Sequence, residues 1–267
     1  MRFEGEAERV GFQQREVVRH HAGGSARGSD SVVEEMPVAL VCNGISHAVM
    51  MATPRDLECF ALGFALSEGV VDARAEVYDI ELRQHAASAE VELTLSQRAF
   101  TRLKEQRRTL AGRSGCGICG IESLAMLDLE PARIVAPVLP GAPAPAVARA
   151  ARELAQHQTL MRATGGAHAA AWCRPDGAID FVFEDVGRHN SLDKLIGHLA
   201  LSGVDPQGGF VFMSSRASYE LARKAARLHI PMLATISAPS SLAIDIAQRA
   251  GLKLLSFCRQ DGCVEYC

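Results

Sequence analysis

The second half of this sequence alternates short apolar runs with segments in which apolar residues recur every three or four positions. Four segments have this helical spacing, near residues 147–154, 192–199, 221–228 and 242–250. The apolar runs between them are strand candidates, at residues 167–173, 178–184, 209–213, 231–236 and 252–258. Such alternation predicts a layered α/β domain with a largely buried sheet.

The first half predicts a smaller α+β subdomain, which we place at residues 31–130. Its strand candidates lie at residues 38–42, 45–51, 77–82 and 91–95. Asn43-Gly44 joins the first two candidates and is a strong hairpin signal. Thr53-Pro54 predicts the N-cap and first position of a helix, and residues 97–110 predict a second, basic helix.

Composition shifts mark the other boundaries. The first residues are polar, and the Gly- and Ser-rich stretch at 23–29 predicts a flexible segment over residues 1–30. Five prolines between residues 130 and 145 indicate a connector. We therefore expect the α/β domain to occupy residues 131–267.

Charge and cysteine usage exclude several classes of protein. The net charge of -3 and the lack of a long Lys/Arg run argue against nucleic acid as a partner. The charged N-terminus is unlike a secretory signal, and no apolar run reaches the ~20 residues of a membrane helix. Eight irregularly spaced cysteines without an export signal indicate reduced thiols. We therefore expect a cytoplasmic protein that does not bind a membrane.

Cys116 and Cys119 are separated by two residues in a loop with three glycines, near Arg113. A nearby cation and exposed backbone N–H groups lower the pKa of a thiol, and the thiolate is the nucleophile. From spacing alone, three interpretations stay open: a structural zinc site, a redox dithiol and a sulfur carrier that holds a persulfide.

A second group of polar residues lies between predicted strands and helices. His168 follows two glycines, and Asp185, Arg188 and His189 stand within five residues of one another. Ligands of α/β proteins bind where strands end and helices begin. Alternatively, Asp185 is only a helix cap and Arg188 its ion-pair partner. The flanking glycines favour a site, because glycine permits backbone shapes that other residues resist.

Two further junctions lead from a strand into a predicted helix. Ser214, Ser215 and Arg216 follow one strand, and a serine-rich stretch at residues 237–241 follows the next. Helix N-termini offer N–H donors to phosphate, and Arg216 adds a bidentate donor. The two junctions predict a phosphate or pyrophosphate pocket, but not a P-loop, because the Gly-Lys-Ser/Thr ending is absent.

Taken together, these segments resemble the formate dehydrogenase accessory sulfurtransferase family, also called FdhD/NarQ. The similarity runs from about Glu35 to Tyr266. Four blocks carry it in family order: Asn43-Gly44 with Thr53-Pro54, Gly63-Phe64 and Ser67-Glu68-Gly69; Ser114-Gly115-Cys116-Gly117-Ile118-Cys119-Gly120; Thr164 to His168 with Glu184 to Asn190 and Asp193-Lys194; and Ser215-Arg216 with Lys224.

The resemblance implies a sulfur carrier with a cysteine persulfide intermediate. By carry-over, Cys116 bears the persulfide and Cys119 assists. The sulfur passes from a cysteine desulfurase to molybdenum bis-molybdopterin guanine dinucleotide, the cofactor that apo formate dehydrogenase requires. The family's cofactor contact corresponds to the last strand, at Phe257, Cys258, Arg259, Gln260, Asp261 and Gly262. A homodimer is the expected assembly.

The resemblance also implies a three-layer, cytidine-deaminase-like domain with a mixed sheet, which makes a zinc- or nucleotide-binding deaminase-like protein one alternative. A zinc deaminase needs His-x-Glu followed by Pro-Cys-x-x-Cys. Here His168 lacks the glutamate, and Cys116 and Cys119 precede the histidine without a proline. We therefore expect no metal site. A second alternative is a non-catalytic molybdenum-cofactor chaperone.

Overall fold

The computed structural model describes residues 10–109, 131, 133–134 and 143–267. The strands are β1 (Phe12–His21), β2 (Gly24–Val33), β3 (Met36–Cys42), β4 (Ile45–Ala52), β5 (Val77–Gln84), β6 (Ala89–Leu95), β7 (His168–Cys173), β8 (Ile179–Asp185), β9 (Phe210–Met213), β10 (Met232–Thr235), β11 (Lys253–Arg259) and β12 (Gly262–Glu265). The helices are α1 (Leu57–Ser67), α2 (Gln97–Thr109), α3 (Pro143–His157), α4 (Thr159–Thr164), α5 (Arg188–Ser202), α6 (Tyr219–Arg227) and α7 (Ser241–Ala250).

The C-terminal half forms a mixed six-stranded sheet in the order β12-β11-β10-β9-β7-β8. Strands β9, β10 and β11 are parallel, whereas β7 runs antiparallel to both β8 and β9. All five strands predicted for this half are confirmed to within one or two residues. Strand β12 and helix α4 were not predicted, because each is too short to show a period.

Helices cover both faces of this sheet. One face, which includes Phe210 and Phe212, packs against the Val147, Ala150 and Leu154 stripe of α3. The other face packs against α5, α6 and α7, whose predicted apolar stripes are buried. The prediction of an α/β domain with a mixed sheet is confirmed.

A second sheet, in the order β4-β3-β6-β5, is built from the N-terminal half. Its four strands and the turn at Asn43-Gly44 agree with the sequence prediction. The predicted start of α1 is wrong, because Asp56 rather than Thr53 occupies the N-cap position. The Thr53 hydroxyl instead accepts a hydrogen bond from the N–H of Val186, 3.1 Å away, in the C-terminal half of the chain.

Helices α1 and α5 join the two halves by direct backbone contact. A Cβ atom added at Gly63 would lie 1.7 Å from the carbonyl oxygen of Asp193, and one at Gly197 would lie 1.9 Å from that of Cys59. Only glycine fits at either position. One apolar cluster consequently runs from the four-stranded sheet through α1 and α5 to the six-stranded sheet. A domain boundary at residues 130 and 131 stays a prediction.

The N-terminal segment differs from the prediction. The flexible stretch expected over residues 1–30 is replaced, from Phe12 onward, by an antiparallel hairpin of β1 and β2. The hairpin is largely exposed, and cross-strand polar pairs contribute to it. Gln14 donates to the Ser31 hydroxyl at 2.8 Å, and Arg19 lies 3.1 Å from Asp30. The Gly- and Ser-rich composition concealed this pairing, which depends on residues in opposite strands. Within the described ranges, no helix is long and apolar enough to cross a membrane.

We expect Gly197→Ala to destabilise the protein strongly, because the added methyl group meets backbone atoms that no rotamer change can move. The free energy of unfolding should fall by at least about 3 kcal/mol, the upper part of the usual range for overpacking. Urea unfolding followed by circular dichroism measures this. Gly23→Ala is the control, because its added Cβ meets no atom within 4 Å. A loss below about 1 kcal/mol for Gly197→Ala would contradict the close helix contact.

Candidate functional site

The predicted polar groups meet at one edge of the six-stranded sheet. We define the carboxyl edge as the edge where β8, β9, β10 and β11 end and the antiparallel β7 begins. His168, the first residue of β7, pairs with Asp185, the last residue of β8. The N–H of Ala169 donates to the Ser214 hydroxyl at 2.8 Å, so the start of β7 is also tied to the end of β9.

Asp185 is fully buried and organises this edge. One carboxylate oxygen accepts from the N–H of Gly187 at 2.8 Å and from the side chain of Asn190 at 2.9 Å. The other accepts from the N–H of Thr53 at 3.0 Å and lies 2.7 Å from the ammonium of Lys194. A buried carboxylate is tolerated only when it is paired and hydrogen-bonded, and here both conditions are met. Asp185 is therefore a structural centre that both halves of the chain share.

Lys194 completes this centre. It is fully buried, and its ammonium also donates to the carbonyl oxygens of Thr53 at 3.0 Å and Glu184 at 3.3 Å. All three partners of the Lys194 ammonium lie inside the protein, so the Asp185–Lys194 pair presents no net charge to a ligand. The charge of the edge therefore comes from its other residues.

Helix α5 begins at the carboxyl edge, and its first residues are Arg188 and His189, after the N-cap Gly187. The Nε atom of Arg188 and the Nε2 atom of His189 are buried and have no hydrogen-bond partner among the described residues. His189 Nε2 lies 3.5 Å from Glu220 of α6, too far for a well-formed hydrogen bond but close enough for attraction. The attraction of His189, with smaller contributions from Ser218 and the backbone, outweighs partial burial and lowers the pKa of Glu220 to about 2. Buried, unsatisfied donors at a helix N-terminus suit an anion.

His168 lies in the same electrostatic environment. Partial burial lowers its pKa, and the nearby positive charges of Arg188 and His189 lower it further, against the opposing effect of Asp185. The imidazole is therefore held toward its neutral form. It is available to accept a proton or a hydrogen bond at the edge.

The segments after β9 and β10 run side by side. Ala217 and Pro239 form a parallel bridge, and the N–H of Ser237 donates to the carbonyl oxygen of Ser215 at 3.4 Å. The predicted junctions are only partly correct, because α6 begins at Tyr219 and not directly after Arg216. Ser215 is buried and donates to the carbonyl oxygen of Arg216 at 3.1 Å. Arg216 is exposed at the edge.

The residues near the C-terminus that were predicted to contact the cofactor lie in three environments. Phe257 has a left-handed φ of 53° and is 40% exposed at the carboxyl edge. Cys258 is buried beneath it. The remaining four residues form the turn between β11 and β12 and are exposed or half-buried: Arg259, Gln260, Asp261 and Gly262. The structure thus brings Phe257 to the edge and places the turn beyond it.

A second buried ionic cluster lies where α1, α5 and α6 meet. The ammonium of Lys224 lies 2.8 Å from both carboxylate oxygens of Asp193 and from the hydroxyl of Ser67. Glu68 contacts Lys224 at 2.8 Å and also pairs with Arg223. Burial alone would raise the pKa of Glu68, but Lys224 and Arg223 lower it to about 2. This cluster fixes α6, which carries Glu220, relative to α1.

Cys116 and Cys119, the predicted catalytic thiols, lie outside the described residues. Among the residues that are described, no group of three or more His, Cys, Asp or Glu side chains is arranged to hold a metal ion. Sequence reasoning missed Thr53 and Glu220 as parts of the edge. The sequence carried one signal of buried ionic pairs near this edge. The charged residues Asp193 and Lys194 stand inside the apolar stripe of a helix that was expected to be buried.

The comparisons with known proteins agree with this architecture. The model of the FdhD/NarQ family matches residues 33–267. The chain belongs to the FdhD/NarQ family. A curated FdhD relative from Chromobacterium violaceum, named sulfur carrier protein FdhD, is 66% identical over 251 residues, which cover 94% of this chain and 93% of the relative. A protein of the same name from Burkholderia mallei is 61% identical over 256 residues, which cover 94% of this chain and 93% of the relative.

A solved structure shows the same fold. The crystal structure of a formate dehydrogenase accessory protein from Desulfotalea psychrophila matches with a TM-score of 0.71, covering 95% of this chain and 96% of that chain. Its sequence identity is 21%, so we use this neighbour only as evidence for the fold.

The Glu68 cluster predicts a pH-dependent stability. Because the folded-state pKa of about 2 lies below the ordinary value of 4.5, ionised Glu68 stabilises the protein above about pH 4.5, and this contribution is lost as the pH falls toward 2. Glu68→Gln should lower the free energy of unfolding by about 2 kcal/mol at neutral pH and by much less near pH 2.5. Urea titrations at both pH values measure the difference.

Glu265→Gln is the matched control, because Glu265 pairs with Lys253 at the surface. Such exposed pairs contribute about 1 kcal/mol or less. An equal loss for Glu68→Gln at both pH values would show that the substitution acts through packing and not through charge.

Proposed function

We propose that this chain is a sulfur carrier, which accepts sulfur as a cysteine persulfide and delivers it for the activation of formate dehydrogenase. The observation that carries the proposal is the match, over more than nine-tenths of both chains, to relatives named sulfur carrier protein FdhD. Cys116 is the proposed persulfide-bearing residue, and Cys119 is its assisting thiol.

The described cysteines support this assignment by their poor reactivity. Burial raises the pKa of Cys59 and of Cys258 to about 12, and it raises the pKa of Cys173, Cys263 and Cys267 as well. Because the thiolate is the nucleophile, these five thiols are weak acceptors of sulfur at neutral pH. A carrier thiol is therefore best sought in the glycine-rich loop of Cys116 and Cys119.

The loading step follows from thiol exchange chemistry. The donor is a cysteine desulfurase that holds a persulfide on its own cysteine. The thiolate of Cys116 attacks the outer sulfur of this persulfide, a new S–S bond forms, and the old S–S bond breaks to release the desulfurase cysteine as a thiolate. No oxidant or reductant is consumed, because the sulfur moves with its oxidation state unchanged.

The carboxyl edge is the proposed binding place of the acceptor, molybdenum bis-molybdopterin guanine dinucleotide, which is here a substrate. Its pyrophosphates carry negative charge, and the edge offers the α5 N-terminus with Arg188 and His189, neutral His168, and exposed Arg216. Phe257 offers an exposed ring to a base, and Arg259 adds a cation in the adjoining turn. Apo formate dehydrogenase then receives the sulfurated cofactor.

We also propose that the C-terminal domain has a three-layer, cytidine-deaminase-like scaffold. A shared three-layer scaffold does not require shared chemistry. Burial and the positive charges of Arg188 and His189 lower the pKa of His168, and such charges would also repel a zinc ion. The carboxylate of Asp185 is already used by Lys194 and three N–H donors. A deaminase function is therefore disfavoured by the residues present.

A cofactor chaperone without sulfur transfer is the other candidate. It uses the same edge but does not need a reactive thiol, so the loading experiment separates the two. On the family resemblance, we further propose that the protein acts as a homodimer in the cytoplasm, without nucleic acid or membrane as a partner.

Sulfur loading is tested by the intact mass of the protein after incubation with a cysteine desulfurase and cysteine. We expect a gain of one sulfur atom that dithiothreitol removes and that Cys116→Ala abolishes. Cys119→Ala should reduce the yield or the rate of onward transfer, because an assisting thiol is lost. Cys267→Ala is the control and should load like the unchanged protein. No gain in the unchanged protein, with formate dehydrogenase activation intact in Cys116→Ala, would favour the chaperone.

The acceptor site is tested with guanosine diphosphate as a probe of the nucleotide half. Isothermal titration calorimetry should show binding that Arg188→Met weakens by about tenfold or more, since one charge-assisted hydrogen bond contributes about 1.5–3 kcal/mol. Arg174→Met is the control, because Arg174 follows β7 at the opposite edge of the sheet. Equal affinities for both variants would remove Arg188 from the proposed site.

A further inference from the structure

Cys258 and Cys263 face each other across the β11–β12 hairpin. Ser256 pairs with Val264 and Arg259 pairs with Gly262, so two residues of β11 stand opposite the single residue Cys263. This two-against-one arrangement is a β-bulge, which bends the strand and redirects its side chains. Phe257 takes the left-handed conformation and is exposed, whereas Cys258 is only 1% exposed.

The two thiols point toward the same side of the hairpin. Cys258 belongs to the apolar cluster under α3, and Cys263 packs against that same cluster. Burial raises the pKa of both thiols, and the proximity of the two side chains raises that of Cys258 further and opposes the rise at Cys263. Directly opposite residues of antiparallel strands lie about 4.5–5.5 Å apart at Cα, within the range that disulfides span.

We propose that Cys258 and Cys263 form a redox site, a dithiol that small disulfides oxidise reversibly to a disulfide within the β11–β12 hairpin. The site is distinct from the Cys116 and Cys119 pair. The register of two strands and the burial of two side chains define this site, whether or not the chain carries sulfur.

The difference in exposure sets the order of events. Cys263 is half-buried and reaches solvent, so the small fraction of it that is thiolate attacks one sulfur of oxidised glutathione. A mixed disulfide forms as the glutathione S–S bond breaks and one glutathione thiolate leaves. The buried Cys258 then attacks the Cys263 sulfur, which forms the internal disulfide and releases the second glutathione. Two protein thiols are oxidised, one glutathione disulfide is reduced, and the two thiol protons end on the two glutathione molecules.

The disulfide would close the base of the turn that contains Arg259, Gln260, Asp261 and Gly262. In the reduced protein, the backbone pairing of Arg259 with Gly262 closes the turn that lies beyond the bulge. Oxidation would add a covalent link one residue further in, next to Phe257. The same thiol pair would therefore set how freely this turn moves at the carboxyl edge.

The test uses the full chain with Cys116→Ala and Cys119→Ala, so that these two thiols do not compete. The protein is equilibrated in mixtures of reduced and oxidised glutathione, free thiols are trapped with N-ethylmaleimide, and peptides are identified by mass spectrometry. We expect a peptide pair linked through Cys258 and Cys263, lighter by two hydrogens, that dithiothreitol restores. Cys267→Ser, which alters the neighbouring tail cysteine, should leave this link unchanged.

Two variants separate this site from incidental oxidation. Cys258→Ala removes the resolving thiol, so a glutathione adduct should persist on Cys263 and exceed that in the parent by more than about tenfold, because the intramolecular step is lost. Cys263→Ser should leave Cys258 unmodified, and it keeps the buried side of the hairpin intact. A stable adduct on Cys263 in the parent, or a link to Cys267 or to a second chain, would overturn the proposal.

Discussion

The contact between α1 and α5 holds this molecule together, because it is made by backbone atoms and leaves no room for a side chain. Gly63 and Gly197 allow the two helices to approach until a methyl group on either would overlap a carbonyl oxygen of the other. A contact of this kind fixes both the distance and the rotation of the helices. It thereby places Ser67 and Glu68 of the α1 end against Asp193 and Lys224, and it sets the four-stranded sheet against the six-stranded one.

The buried charges also fix how the two halves of the chain are placed relative to each other. Replacing a buried ion pair with apolar residues is often neutral for stability, so such pairs are poor explanations of stability alone. Their geometry is more informative. Asp185 binds Thr53 from the N-terminal half and Lys194 and Asn190 from α5, so only one relative position of the two halves satisfies it. With this carboxylate neutralised internally and Glu220 held beside His189, Arg188 and Arg216 remain as cations at the carboxyl edge, which suits a phosphate-bearing acceptor.

Local periodicity explains why most of the fold was predictable. The strands and the helical stripes depend on residues that are close in sequence, and they were predicted within a few positions. Three features were missed because they depend on pairings that local periodicity does not show. Thr53 was assigned as a helix cap, whereas its partners lie more than 130 residues away. The β1–β2 hairpin depends on pairing between polar strands. Cys263 had no assignable partner in the sequence, because a bulge rather than simple alternation brings Cys258 opposite to it.

The long sequence separations at α1 have a consequence for synthesis on the ribosome. Asp193 follows its partner Ser67 by 126 residues, and Lys224 follows it by 157. At translation rates of about 5–20 residues per second, α1 leaves the ribosome on the order of ten seconds before its partners have been made. During that interval the face of α1 that packs against α5 has no native partner to cover it. Strands β9, β10 and β11, which end at the carboxyl edge, are translated later still, so the nascent chain cannot complete this edge until nearly the whole chain has emerged.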